Sequence, residues 1–173
     1  MAGDGTPSGP IDPLSALQAE AEIRRVIARY CRAVDRMDEE LLRSCYHDDA
    51  HDEHGSFSGT VDEYVAWVWR LLGRYEMTMH LVANQLVELE SARSARVETY
   101  GTAVHRASSD EPRLNLVTGF RFVDRFERRQ DWRILRRVAV TEWSVHVPAG
   151  AWWPVPESLR HGRRDRSDPA YWL

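Results

Sequence analysis

Residues 77–90 read MTMHLVANQLVELE and predict the first long strand of a sheet. This stretch contains period-two alternation of apolar and polar residues, which is typical of a β-strand with one buried face. Three segments of the same kind follow at residues 95–108, 114–128 and 132–147. The short polar sequences SARS, SSDEPR and RRQD separate them, as turns separate paired strands. Long strands with tight connections predict an antiparallel, strongly bent sheet.

A long helix is predicted well before this sheet. Asp12 is followed by Pro13, which is the pattern of an N-cap with proline at the first helical position. Apolar residues then recur at steps of three and four, while arginines occupy the other face. The pattern predicts an amphipathic helix that ends near Met37.

Two shorter helices and a polar stretch complete the predicted architecture. Residues 39–46, EELLRSCY, predict a short helix, and the polar residues 47–59 predict a loop with an edge strand. Thr60 and Glu63 form a T-x-x-E capping box for a third helix, which Gly73 ends. Three helices followed by a bent sheet indicate the α+β class, with helices packed on one sheet face.

The length of 173 residues fits one domain with its own core. Residues 1–11 are small, polar and rich in proline and glycine, so a loose tail is expected there. The α+β domain is expected over residues 12–147. Residues 148–173 contain four prolines and predict an irregular C-terminal tail, whose tryptophans would cover a pocket mouth or a neighbouring subunit.

Composition excludes several functional classes. The net charge of −4 does not favour nucleic acid or acidic membranes, and the short basic run at residues 160–166 is interrupted by Asp165. All 23 basic residues are arginine, which excludes mechanisms that need a lysine. Cys31 and Cys45 are too few for a disulfide framework and are expected to be reduced. No apolar run approaches a membrane span of about 18 residues and no signal-peptide core is present, so a cytoplasmic location is expected.

One group of residues suits proton transfer: Tyr30 and Asp35 near the end of the first helix, and His80 on the first long strand. A carboxylate hydrogen-bonded to a buried imidazole fixes its tautomer and raises its basicity, which makes a general base. The alternative is a core histidine at position 80, with Asp35 paired to a neighbouring arginine. Spacing alone favours that alternative.

Two further patterns are less specific. Residues 47–54 hold seven potential metal ligands, but the histidine spacing matches no standard zinc signature, so a polar loop is the favoured interpretation and a metal site the alternative. Tyr100 on the second long strand and Arg137 on the last could hydrogen-bond a substrate oxygen. Plain sheet surface is the alternative for both.

These segments, in this order, resemble the SnoaL-like branch of the nuclear-transport-factor-2-like superfamily. The resemblance runs from about residue 19 to residue 147. It is carried by IRRVIARYCRAVDRMD, YHDDAHDEHGSFSGTVDEYVAW, MTMHLVANQLVELE with ARVETYGTAVHR, and DWRILRRVAVTEW. It implies a cone-shaped fold, in which a curved antiparallel sheet wraps against helices around a deep apolar pocket. Lyases of the family include bile-acid dehydratases, scytalone dehydratase and a hexachlorocyclohexane dehydrochlorinase, and they are commonly homotrimers.

The resemblance also implies roles for residues. Asp35 and His80 match the family's Asp–His dyad, in which the histidine is the base, and Tyr30 matches a tyrosine five residues before the aspartate. With these matches the catalytic interpretation of the dyad becomes the favoured one.

Four residues match substrate-binding positions of the resemblance. Tyr100 matches a tyrosine on the second long strand, and His54 stands where the bile-acid dehydratase pattern has another. Thr141 stands where that pattern has an arginine, and Arg137, on the same strand face, could replace it as in the dehydrochlorinase.

The function that this resemblance implies is a lyase of the dehydratase type without cofactor or metal. Its substrate would be a hydrophobic cyclic small molecule such as a steroid or polyketide. One alternative is an isomerase or polyketide cyclase that uses the same base. Another is a non-catalytic ligand-binding or assembly module, like the small subunits of ring-hydroxylating dioxygenases.

Overall fold

The computed structural model of the protein describes residues 11–107, 115–152 and 154–173. The predicted turn SSDEPR lies outside these residues. So do Trp153 and all but the last residue of the predicted loose tail at residues 1–11.

Three helices form where the sequence predicts them: α1 (Pro13–Arg36), α2 (Glu39–Ser44) and α3 (Val61–Leu72). The Asp12 carboxylate caps α1 by accepting from the N–H groups of Leu14 and Ser15. The predicted capping box begins α3. Helix α2 is shorter than predicted, because the chain enters a strand at Tyr46. Within the described residues, no helix combines the length and apolar character that crossing a bilayer requires.

Six strands form one open sheet in the described part of the chain. In chain order they are β1 (Tyr46–His54), β2 (Phe57–Thr60), β3 (Tyr75–Ser91), β4 (Ser94–Ala107), β5 (Leu116–Arg128) and β6 (Trp132–His146). Their order across the sheet is β2-β1-β6-β5-β4-β3. The four long strands lie where the sequence predicts them, which confirms the α+β class.

The four long strands pair antiparallel, as predicted, whereas residues 47–59 contain more strand than predicted. Residues 47–59 lie mostly in β1 and β2, and of these only β2 is an edge strand. Strand β1 pairs in parallel with β6, so the sheet is mixed. The sequence hides β1 because its fully buried inner residue is charged: Asp52 stands where an apolar side chain would mark a strand.

The helices cover one face of the sheet. The core between them includes Ile23 and Ile27 of α1 and Phe126, Trp132 and Ile134 of the last two strands, all nearly or fully buried. The register of β3 on β4 shifts between residues 82 and 85, and such irregularities bend a sheet. The bent sheet and the helices together leave a cavity between them.

The C-terminal segment, residues 154–173, packs against the carboxyl end of α1. The Arg164 guanidinium donates to the carbonyl of Leu72 at 2.7 Å and also to that of Tyr75. Its Nε donates to the carbonyl of Asp35 at 3.4 Å. The segment therefore lies behind Asp35, and none of its residues lines the cavity that Asp35 adjoins.

Candidate active site

Asp35 and His80 meet at the end of α1. Asp35 Oδ1 lies 2.7 Å from His80 Nδ1 and also accepts from the Thr78 hydroxyl at 3.0 Å. The other oxygen, Oδ2, accepts from the backbone N–H of His80 at 2.9 Å. Three donors from one strand thus hold a carboxyl group that is only 7% exposed.

The geometry follows from the strand period. Thr78 and His80 are two residues apart, so both side chains face α1. Because a carboxylate oxygen only accepts, the Nδ1 of His80 carries the proton, and Nε2 keeps the lone pair that a base needs. The imidazole is oriented by Asp35 and presents its free edge to the cavity.

The cavity has a volume of about 340 Å³ and lies between α1, α3 and the inner face of the sheet. Its wall is largely apolar and includes Val34, Val68 and Leu71. Phe120 and Phe122, with ring centroids 4.5 Å apart, form what we call the aromatic floor. This size and character suit a small apolar ligand.

Tyr30 lines the cavity and its hydroxyl is paired. Its oxygen lies 2.5 Å from the hydroxyl oxygen of Tyr64, which also lines the cavity. Burial raises the pKa of both phenols, so they stay protonated at neutral pH. The two hydroxyls carry one proton each. One proton makes the hydrogen bond between the two oxygens, and the other can be donated to a ligand.

His54 and Thr141, for which the resemblance implies a role in substrate binding, also line the cavity. The His54 ring stacks on Tyr64, with centroids 5.5 Å apart, and lies 5.9 Å from the ring of Trp67. Its Nδ1 is 3.3 Å from the carboxyl of the fully buried Asp52.

Arg137 does not contact the cavity, so its proposed contact with substrate is wrong. The guanidinium is fully buried and makes two hydrogen bonds to Asp124, of 2.8 and 2.7 Å. It lies between the rings of Tyr30 and Phe122, 4.2 and 3.9 Å from their centroids. Arg137 therefore supports the cavity from beneath.

Tyr100 is also misplaced by the sequence analysis. It is 45% exposed, on the opposite face of the sheet from His80, and its ring lies 5.8 Å from the Arg121 guanidinium. Alternation along β4 defines two faces, but both carry polar and apolar residues, so it does not say which face is inside.

His105, on the inner face of β4, is the site residue that the sequence analysis misses. Its ring lies 5.8 Å from that of His80 and 4.9 Å from that of Tyr75. Burial, with a smaller contribution from the charge of His80, lowers its pKa to about 4. A neutral imidazole thus stands beside the Asp–His pair. Its position two residues after Ala103, which faces His80 across the strands, is the signal that could have found it.

The potential metal ligands of residues 47–54 are dispersed by the strand they form. His47 bonds the carbonyl of Glu127, Asp49 pairs with Arg129, and His51 bonds Ser58. Among the residues that the structure describes, no three His, Cys, Asp or Glu side chains are grouped to hold a metal ion.

Cys31 and Cys45 are free and buried. Burial raises the pKa of their thiols to about 12 and about 11, so neither is a reactive thiolate at neutral pH.

Fold and site together define a SnoaL-like protein. The family model of the SnoaL-like domain matches residues 15–138, which is most of the chain. The chain therefore belongs to that family, within the nuclear-transport-factor-2-like superfamily. Among curated proteins, none matches the sequence.

Solved structures of the same fold include enzymes of elimination chemistry. LinA superposes with a TM-score of 0.74 at 22% identity, over 83% of this chain and 98% of LinA. The hexachlorocyclohexane dehydrochlorinase LinA-type3 of Novosphingobium barchaimii gives 0.71 at 19% identity, over 84% and 99%. A candidate scytalone dehydratase of Novosphingobium aromaticivorans gives 0.71 at 19% identity, over 79% and 92%. At these identities the likeness establishes the shared fold.

Proposed function

We propose that this protein is a cofactor-independent lyase that eliminates a leaving group from a hydrophobic cyclic small molecule. His80 Nε2 removes a proton from carbon, and Asp35 orients the imidazole and stabilises the imidazolium that forms. Dehydration is the elimination we favour, as in the bile-acid and scytalone dehydratases that the sequence resembles.

The observation that carries the proposal is the contact of 2.7 Å between Asp35 and His80 at the wall of an apolar cavity. An oriented base facing such a cavity can take a proton next to a carbonyl, since little water competes for its lone pair. The buried hydroxyls of Tyr30 and Tyr64 supply a donor for the oxygen on which negative charge develops.

The residues around the cavity also favour a substrate that carries no strong charge. The Asp124–Arg137 ion pair is sealed beneath the cavity, and among the described residues no Asp, Glu or Arg side chain lines its wall. A cyclic ketone with a leaving group on the β-carbon fits these features, because its α-proton is acidic and its body is apolar.

The test is an elimination assay on a panel of β-hydroxy ketones with one, two and four fused rings. The conjugated enone that forms is followed by its ultraviolet absorbance. We expect turnover of at least one compound by the wild-type protein and a loss of about 100-fold or more in His80→Gln, the usual contribution of a general base. Asp35→Asn should also lower the rate strongly, because the amide no longer stabilises the imidazolium.

His161→Gln is the matched control, since His161 is exposed in the C-terminal segment, bonds the carbonyl of Pro156 and does not line the cavity. It should keep the wild-type rate. Inertness of the wild-type protein towards the entire panel would reject the lyase assignment. An isomerase or cyclase using the same base would be identified by its product, which would have the mass of the substrate.

A further inference from the structure

A second Asp–His pair lies in the same cavity. Asp52 is fully buried, and its Oδ2 accepts a hydrogen bond of 2.7 Å from the Tyr46 hydroxyl. Its Oδ1 is 3.3 Å from His54 Nδ1, which is within ion-pair distance, and neither atom makes a hydrogen bond among the described residues. The two side chains are therefore in close contact without an aligned hydrogen bond.

Two carboxyl groups, those of Asp52 and Asp124, are buried beneath His54. The buried Arg137 guanidinium makes two hydrogen bonds to Asp124 and one of 3.5 Å to the Tyr46 hydroxyl, which in turn donates to Asp52. A buried carboxyl group is costly unless it is paired. A proton on His54 would place a positive charge 3.3 Å from the Asp52 carboxyl.

The two imidazoles stand at opposite ends of the aromatic floor. The His54 ring lies 5.9 Å from the ring of Phe122, and the His80 ring lies 6.0 Å from that of Phe120. The Phe120 ring packs against the backbone of β4 because Gly101 has no side chain: a Cβ at that position would come within 2.4 Å of the ring. A ring lying on this floor would have one imidazole at each end.

We propose that His54 is the general acid of the reaction, positioned by Asp52, and that the leaving group is therefore an oxygen that must be protonated. This inference rests on the proposed lyase function and names its leaving-group class. His54 Nδ1 faces Asp52, so Nε2–H is the donor that the cavity receives.

The step balances in atoms and charge. His80 Nε2 takes the proton from the α-carbon, the electron pair of that C–H bond forms the new C=C bond, and the C–O bond breaks. The departing oxygen takes the proton of His54 Nε2, and water leaves. The cavity begins with His54 charged and His80 neutral and ends with the reverse, so its total charge is unchanged. Proton exchange with solvent restores the starting state.

The leaving group decides the test. Hydroxide needs a proton to leave, whereas acetate leaves as a stable anion. The probes are the most reactive β-hydroxy ketone of the panel and its acetate ester, which give the same enone. We expect His54→Gln to lose about 100-fold or more on the hydroxy ketone and less than about tenfold on the ester, which is the selectivity that loss of a general acid produces.

Asp52→Asn should reproduce this selectivity, because a positioning residue acts through His54; a merely structural role would lower both rates alike. His51→Gln is the control: it lies on the same strand, bonds Ser58 and does not line the cavity. If His54→Gln fails to fold, His54→Phe preserves the stacking on Tyr64 while removing both nitrogens.

The outcomes separate the two claims. Equal losses on both probes, or no loss on the hydroxy ketone, in a folded His54 variant would overturn the acid role while the lyase function stands. A wild-type protein that turns over neither probe would reject the lyase function, and the acid role would fall with it.

Discussion

At the residue scale, the low pKa of His105 makes the stability of the folded protein decrease in acid. This pKa of about 4 lies below the value near 6.5 of an unfolded histidine. Between these values the unfolded chain binds a proton that the folded protein does not, so stability is full above about pH 6.5 and falls as the pH drops towards 4. The loss of folding free energy is on the order of 3 kcal/mol once the pH lies below both pKa values.

His105→Gln should remove this share of the acid sensitivity. The free energy of unfolding, measured in urea at about pH 7 and about pH 5, should fall less in the variant than in the wild-type protein, by roughly 2 kcal/mol. Equal falls in the two proteins would show that His105 is not the group responsible.

Arg137 carries a second prediction at this scale. Arg137→Met leaves the Asp124 carboxylate buried without its partner, and breaking such a pair costs about 3–5 kcal/mol. Arg136→Met is the matched control, because that neighbouring guanidinium pairs with Glu53 in solvent and should contribute at most about 1 kcal/mol. Urea unfolding of both variants is the measurement, and similar losses would contradict the assigned role of Arg137.

The residues of the candidate site differ in how well the sequence predicts them. Asp35 and His80 are separated by 45 positions, and resemblance, not spacing, brings them together in the prediction. Tyr100 is predicted wrongly and His105 is missed for the same reason. The two residues lie on opposite faces of β4, and the sequence of β4 does not show which face another element covers. Arg137 is misjudged because its burial depends on Asp124 of the adjacent strand.

At the scale of elements, the C-terminal segment fastens the end of α1. Arg164 donates to three backbone carbonyls, which belong to the last turn of α1, the last residue of α3 and the first residue of β3. These elements carry Asp35 and lead into the strand of His80. The segment therefore holds the dyad's scaffold together from behind.

Arg164→Ala should lower the free energy of unfolding by about 2 kcal/mol, as expected when charge-assisted hydrogen bonds to buried carbonyls are lost. Arg163→Ala, which removes an adjacent exposed side chain, should change it by less than about 0.5 kcal/mol. Thermal unfolding reports both variants. If the two are equally stable, the segment does not fasten α1.

Local signals predict the elements well and their long-range pairing poorly. The caps Asp12 and Thr60 and the period-two strands give the helices and four strands within a few residues. The parallel pairing of β1 with β6 is not local, because β1 ends at His54 and β6 begins only at Trp132. Strand β1 is hard to recognise in the sequence because its buried Asp52 is paired with the hydroxyl of Tyr46.

At the scale of the whole molecule, the outer face of the sheet carries an apolar stripe. Met79 and Val145 lie in one cross-strand row and Leu81 and Trp143 in the next, and each is about half exposed. The Trp143 indole covers Gly119, where a Cβ would come within 2.2 Å of it. Contiguous exposed apolar surface of this kind marks a protein interface.

We expect this stripe to join copies of the chain, and the family resemblance implies a trimer. Sedimentation equilibrium should give three times the mass of the chain, and Leu81→Arg should shift the protein towards monomer. Val155→Arg, an exposed apolar residue of the C-terminal segment, is the control. A wild-type protein that is monomeric at micromolar concentration would contradict the prediction.

Removal of a carbon-bound proton by His80 can be tested by hydrogen exchange, which needs no leaving group. A saturated cyclic ketone is incubated with the protein in deuterated water, and loss of its α-proton signal is followed by nuclear magnetic resonance. We predict exchange by the wild-type protein and by His54→Gln, and a loss of about 100-fold or more in His80→Gln. Exchange by a folded His80→Gln variant at the wild-type rate would contradict the account.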